Sequence, residues 1–511
     1  PTTWVGIPSA QWPPSWYDSK GNAKFRQPVC RLLKASYGHP DSGGIWEQHC
    51  DSHLRKIGFV EVPSWRSVYF HDKLSVLLVV YVDDFKMAGP KNGITEAWRL
   101  IREKIKVEDP TPYGLFLGCK HEIGEVTLGK NGPKVRTMTY NVESYLMKSV
   151  EAYLELLPQG TRLKRVTTPF LPTSIGPDIC APTKTGPSLV CPYCRGAFHE
   201  SEFLPPEKAG KKWAKAKSGS TVPASGGGKG SALETDAPEI APPPRGALAD
   251  KAASILMQVL YAARYARFDL LCAVARLAQK ISKWTVECDL ALHRLISYIH
   301  STLEHRLVGY VGDALTEVGV HVYADADFAG DPSTKRSTTG VHVCLRGTHT
   351  YFPINGQSKR QECVSHSTPE AEIVAADWAL RREGIPTLDL WDVVVKKGQK
   401  VIFHDDNESM IKVCKSGKNP TMKHMLRSHG VAVAWLKEQF DSGNYDLRYV
   451  PTDYQAADIY TKNFDNADKW NANCRLIGLH PKREIDVPKL IEFWKKGVGR
   501  DCFREEGHER G

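Results

Sequence analysis

The chain has 511 residues, of which 41% are hydrophobic and 25% charged, with a formal net charge of +10. That length exceeds what one compact core supports, so two or three domains are expected, and the basic excess is compatible with a polyphosphate partner. The longest apolar run, around Val76–Val80, falls well short of the roughly 20 residues a bilayer span needs, and thirteen cysteines without a secretory signal argue against a disulfide framework and for a reducing compartment. The sequence opens at Pro1 without a methionine. We read it as part of a longer polyprotein.

In chain order, residues 1–171 mix short apolar strands with helical patterns, as in Ile45–Ile57, where Ile45, Cys50, His53, Leu54 and Ile57 share a face. An almost continuous apolar strand from Leu74 to Val82 delivers Asp83 and Asp84 at a turn. Adjacent carboxylates repel, so a metal-binding hairpin is the functional reading and an ordinary acidic turn the bland one. From 172 to 249 the composition shifts to Pro, Gly, Ser, Lys and Ala, too polar to offset its own ordering entropy. Within that insert Cys191 and Cys194, at CxxC spacing, together with His199 and Cys180, offer a tetrahedral zinc set. The competing reading is a solvated tether bearing Lys208, Lys211, Lys212, Lys215 and Lys217 around Trp213, and the composition favours it.

Residues 250–315 are read as a helical connection, with one pattern through Ile255, Val259, Leu260 and Ala263 and another through Leu290, Leu292, Leu295, Ile296 and Ile299. Residues 316–466 begin with three strands at hairpin spacing, Val318–Tyr323, Val341–Leu345 and Thr348–Phe352, followed by a helix capped by Thr368 with Pro369 at its first position. Residues 467–511 form a C-terminal extension. The fold class is therefore multidomain α+β and α/β, ending in a mixed sheet flanked by helices.

Four acidic residues lie at strand ends or on helix-like runs of this last region. Asp325 ends a strand, Glu372 falls one turn into the helix, Asp406 follows Val401–His404, and Asp458 opens Ala456–Lys462. Gathered at one end of a sheet, such a set becomes tolerable when divalent cations bind it, and two ions roughly 4 Å apart suit phosphodiester cleavage. Taken singly, each is more simply a cap or a solvated loop charge.

The ordered set carries a resemblance. Tyr323–Gly340, Ser367–Glu372, Asp406–Ser409 and Ala457–Lys462 are similar to the ribonuclease H domain of copia-type retrotransposon polyproteins. The string Tyr81-Val82-Asp83-Asp84, with Leu33–Gly38 upstream and Phe116–Gly118 downstream, resembles the reverse transcriptase palm of the same family, and Val166–Pro169 with 262–298 resembles its connecting segment. The resemblance implies a ribonuclease H fold cutting RNA in RNA–DNA hybrids, with Asp325, Glu372, Asp406 and Asp458 as ligands of magnesium or manganese. Glu370 and Asp405 are rivals to Glu372 and Asp406; the family's helix register and the adjacent Asn407 favour the latter two. It further implies that Asp83 and Asp84 bind the polymerase metals, that Tyr37 and Gly38 lie near the nascent base pair, and that His424 and His429 belong to a basic motif able to meet phosphate, an exposed polar helix face being the other reading of that pair. Template RNA, DNA and deoxynucleotides would be partners, in cytoplasmic particles with later nuclear entry.

The palm aspartate that the family places upstream of Pro13–Trp16 has no counterpart here, and His39–Gly44 replaces a basic and apolar run. Polymerisation by this chain alone is expected to be poor, unless a separate upstream chain supplies the third carboxylate. A catalytically inactive nucleic-acid-binding remnant is the alternative from another class.

Overall fold

The computed structural model describes residues 3–172 and 243–497 apart from positions 35, 37, 332, 333 and 397, and the backbone of the strand pair Ser188–Val190 and Ala197–His199. Two compact units emerge, Pro1–Pro112 with Ile385–Gln399, and Tyr113–Gly384 with Lys400–Gly511.

In the first unit, helix α1 (Ser42–Lys56) buries Cys50, His53 and Leu54, an i, i+3, i+4 stripe. Ile45, expected on that stripe, is half exposed. A four-stranded antiparallel sheet follows in sequential order: β1 (Val60–Glu61), β2 (Val68–His71), β3 (Val76–Tyr81) and β4 (Asp84–Ala88). Helix α2 (Lys91–Arg102) closes over it through Ala97 and Ile101, and these pack with Leu54, Phe59, Val76 and Leu78 in one core. Each such aliphatic side chain contributes about 1.5–3 kcal/mol on burial. Helix Ile385–Val395 also belongs here, held by Trp65 Nε1 donating to the Pro386 carbonyl at 2.6 Å and Ser64 Oγ to Asp389 at 2.6 Å.

The second unit is built on a ten-stranded mixed sheet. Its early strands are β5 (Leu115–Phe116), β6 (Cys119–Thr127) and β7 (Lys134–Asn141), followed by helix α3 (Glu143–Leu154). Helices α4 (Ala252–Tyr265), α5 (Leu271–Ala278) and α6 (Val286–Ser301) come next, and the first and last match the two helical patterns of the sequence. Their apolar faces, with Leu256, Val259, Leu292, Leu295 and Ile299, share a core with Leu146 and Val150 of α3. Strands β8 (His305–Val311), β9 (Gly319–Asp327), β10 (Thr338–Arg346) and β11 (Tyr351–Arg360) then run before helix α7 (Thr368–Ala379). After α7 come β12 (Val401–Asp405), α8 (Glu408–Ser416), α9 (Val433–Asp441), β13 (Tyr445–Tyr449), α10 (Ala467–Leu476), β14 (Leu479–Pro481) and α11 (Val487–Gly497).

The strand order is β13-β12-β9-β10-β11-β8-β7-β6-β5, with β14 also pairing β8. Strands β9, β10 and β11 pair antiparallel, as hairpin spacing requires, whereas β12 and β13 run parallel to β9. Parallel pairing needs a crossover, and α7 belongs to the one that carries the chain from β11 to β12.

Two boundaries differ from the sequence reading. Residues 113–171, expected with the first domain, join the second unit because β7 pairs with five consecutive residues of β8, from Leu307↔Tyr140 to Val311↔Arg136. The segment from 467, expected as an extension, is part of the same core through Trp470, Leu476, Ile477 and Leu479. The cap of α7 is Ser367 rather than Thr368, its Oγ accepting from the Glu370 amide at 3.4 Å, because Thr368 already has helical backbone.

Candidate metal centre

Parallel pairing of β9 with β12 puts the C-terminal ends of both strands side by side. The register sets Tyr323 against His404, and continuing it by two residues sets Asp325 opposite Asp406. Across the other edge of β9, Asp325 faces Gly340. A Cβ at Gly340 would come within 2.7 Å of the Ala457 carbonyl and of Thr461, so glycine there admits the 457–461 segment against the sheet. That segment is fixed by Gln455 Nε2 donating to the Ala324 carbonyl at 2.8 Å and by Thr461 Oγ1 donating to Asp325. Asp458 begins a single 3-10 turn, Asp458–Tyr460, rather than a longer helix. Glu372, in the first turns of α7, completes the group.

Ligand oxygens of Asp325, Glu372 and Asp406 all lie within 4.8 Å of one another. Asp325, Glu372, Asp405 and Asp458 are buried and Asp406 is partly buried. Burial, reinforced by Asp325, Asp405 and Asp406, holds Glu372 well above the usual carboxylate range. Burial also raises Asp325, against the pull of Lys462 and Thr461, and pushes Asp458 up to about 8 with help from Asp325. Lys462 Nζ lies 2.7 Å from Asp458 Oδ1 and 3.4 Å from Asp325 Oδ1. Burial opposes its charge, yet Asp325 and Asp458 keep the ammonium above its ordinary value. One lysine therefore neutralises only part of a concentrated negative charge.

The rivals separate. Glu370 points elsewhere, accepting from the His366 amide at 3.1 Å, His424 Nε2 at 3.1 Å and His429 Nε2 at 2.8 Å; its burial opposes charge, but these donors hold it below its ordinary value. Asp405 is fully buried at the end of β12, with Oδ1 accepting from the Asn407 amide at 2.8 Å. Asp406 turns toward Asp325, and its Oδ2 accepts from Thr452 at 2.7 Å. The His429 side chain is 2% exposed and bonded to Glu370, which leaves it no face for phosphate.

Within the cluster, Glu372 Oε2 is buried without a hydrogen-bond partner. An unpartnered buried carboxylate oxygen is costly, and a divalent cation is the partner that suits an all-oxygen donor set. The residues present fit magnesium or manganese. Thr461 and Lys462 join the site without having been expected there from sequence; the i, i+4 spacing of Lys462 from Asp458 is the signal that points to the lysine.

Asp83 and Asp84 are both exposed. The tip is a two-residue turn in which Val82 adopts φ +56°, a strained conformation for a β-branched residue, while its carbonyl accepts from Trp46 Nε1 at 2.6 Å. Among the described residues no third carboxylate joins this pair in a metal-sized cluster. Gly38 has φ +87° in a turn, and Tyr37 lies outside the described residues. So do Cys180, Cys191, Cys194 and the lysines from Lys208 to Lys217, whereas the backbone of His199 ends the strand Ala197–His199.

A mixed α/β protein of more than one unit, with buried carboxylates converging at parallel strand ends, is the class this architecture defines. The chain is 26% identical over 441 residues to the retrovirus-related Pol polyprotein from transposon RE1 of Arabidopsis thaliana, covering 85% of this chain and 24% of that protein. It is 25% identical over 443 residues to the RE2 polyprotein of the same plant, with the same coverage, and 23% identical over 461 residues to that of transposon TNT 1-94 of Nicotiana tabacum, covering 88% of this chain and 28% of the relative. Over most of its length the chain is thus similar to retrovirus-related Pol polyproteins from plant transposons, and it spans about a quarter of the length of these relatives. No family model and no solved structure matches it. Among the described residues no helix is long and apolar enough to cross a membrane.

Proposed function

We propose that the second unit is a divalent-cation-dependent nuclease of the ribonuclease H type, cleaving the RNA strand of RNA–DNA hybrids. The observation that carries this reading is the convergence of Asp325, Glu372 and Asp406 within 4.8 Å, with Asp458 hydrogen-bonded to the lysine that also reaches Asp325. Three antiparallel strands, a crossover and two further strands parallel to β9, in the order β13-β12-β9-β10-β11, support this reading.

Asp325, Glu372 and Asp406 would hold magnesium or manganese, and Asp458 would share in it once its proton is released. Bound there, the metal supplies charge neutralisation for a phosphodiester and lowers the pKa of water. The chain's own residues set the conditions for that chemistry. Thr461 fixes the Asp325 carboxylate, Thr452 fixes Asp406, and Lys462 keeps positive charge beside Asp325 and Asp458. Burial excludes bulk water and strengthens each of these interactions.

The first unit reads as a reverse transcriptase palm remnant. Its exposed Asp83–Asp84 turn lacks a described third carboxylate, so template RNA and deoxynucleotides are partners only when another segment completes the site. A labelled hybrid incubated with magnesium tests the nuclease reading. Cutting by the wild type, abolished in Asp325→Asn and in Glu372→Gln, supports it. Hybrid binding without cutting in any protein assigns the chain to the inactive remnant instead.

A further inference from the structure

A second convergence of ligand atoms lies on the first turn of α7 and owes nothing to the acidic cluster. His366, Glu370 and His424 present donor atoms that all fall within 4.8 Å of one another. Two loops and one helix build it. Ser367 caps α7 and sets the orientation of Glu370 one turn in; Asn419 Oδ1, accepting from Thr421 at 3.0 Å, starts the turn that leads to His424. The rings of His366 and His424 meet edge to face, centroids 5.3 Å apart at 82°.

Glu370 is buried, His424 is 40% exposed at its side chain and His366 is exposed, so the group opens to solvent on its histidine side. In a tetrahedral zinc site with bonds of about 2.0–2.2 Å, ligand atoms sit roughly 3.3 Å apart. Glu370 Oε1 and His424 Nε2 already stand at 3.1 Å. Closing the third side requires the exposed His366 ring to move inward by at most about 1.5 Å, within the reach of a side-chain rotation. Two imidazoles and one carboxylate are a donor set that zinc prefers and magnesium does not. His429, 2% exposed and 2.8 Å from Glu370, supplies the outer hydrogen bond that fixes the ligating carboxylate.

We propose that His366, Glu370 and His424 form a zinc-type site, separate from the Asp325–Glu372–Asp406 centre, that fastens the 419–430 segment to the start of α7. Because Glu370 and Glu372 share a helical turn, an ion here would stiffen the helix that presents Glu372 without touching substrate.

Cobalt(II), added to the full chain in excess magnesium, is the probe. The expected result is one tight cobalt with visible d–d absorption and no near-ultraviolet thiolate band, its affinity lowered at least tenfold in His366→Ala and in His424→Ala and unchanged in Asp325→Asn. His366 is a surface residue, so its alanine variant keeps the fold. No binding, equal affinity in His366→Ala, loss in Asp325→Asn, or a thiolate band pointing to Cys180, Cys191 or Cys194 would each overturn the proposal.

Discussion

The chain carries two sets of carboxylates proposed for the same kind of ion, and they differ in how the fold delivers them. Asp83 and Asp84 come from one hairpin tip and stay in water, where solvent screens their repulsion. Asp325, Glu372, Asp406 and Asp458 come from two parallel strands, a helix and a 3-10 turn, and the sheet buries most of their surface. Adjacent residues in sequence make a visible motif with little electrostatic consequence. Distant residues brought together by parallel register make a site whose charge demands a counter-ion.

Neutralising substitutions break this contrast most sharply. Asp325→Asn or Glu372→Gln should reduce magnesium-dependent hybrid cleavage to below about 1% of wild type, since losing a ligand exceeds the 10- to 100-fold cost of losing its outer support. Asp83→Asn with Asp84→Asn should leave cleavage unchanged in the same assay. Equal losses in both pairs would erase the distinction.

The pH dependence of stability sharpens it next. Asp458 binds its proton up to about pH 8 when folded but releases it near 3.8 when unfolded, so between those values the folded state holds the extra proton and stability falls as pH rises. Magnesium needs the ionised carboxylates and should therefore raise the melting temperature of the second unit more at pH 8.5 than at pH 5.5, measured by calorimetry. Asp325→Asn should abolish that increment and, without metal at pH 8.5, melt no lower than wild type.

Smaller effects test the supports. Gly340→Ala should destabilise the second unit by about 1–3 kcal/mol in denaturant titration, because the new methyl meets backbone at 2.7 Å. Ser367→Ala should cost about 1 kcal/mol through loss of the α7 cap, whereas Thr368→Ala should cost less.

Much of this was legible in the sequence, for definable reasons. Strands β9 and β10 announced themselves by alternation, and α4 and α6 by helical period, because both patterns are local; the third strand, expected over Thr348–Phe352, instead runs from Tyr351 to Arg360. The choice of Asp406 over Asp405 followed from the adjoining Asn407, which caps α8 through its side chain at 3.0 Å from the Met410 amide. The sequence could not show that residues 113–171 join the second unit, since β7–β8 pairing links Tyr140 to Leu307 across more than 160 positions. Nor could it show that His429 is buried against Glu370, because a basic helical run gives no sign of which imidazole faces inward.

The union of β7 with β8 also fixes where the chain can be cut. A recombinant piece starting at 250 or 316 would lose the hairpin β6–β7 and leave the backbone N–H and C=O groups of β8, or of β11, without their neighbour. Such a piece invites intermolecular strand pairing and insolubility, whatever the state of its acidic centre. Expression trials that retain the segment from Tyr113 keep that seam closed.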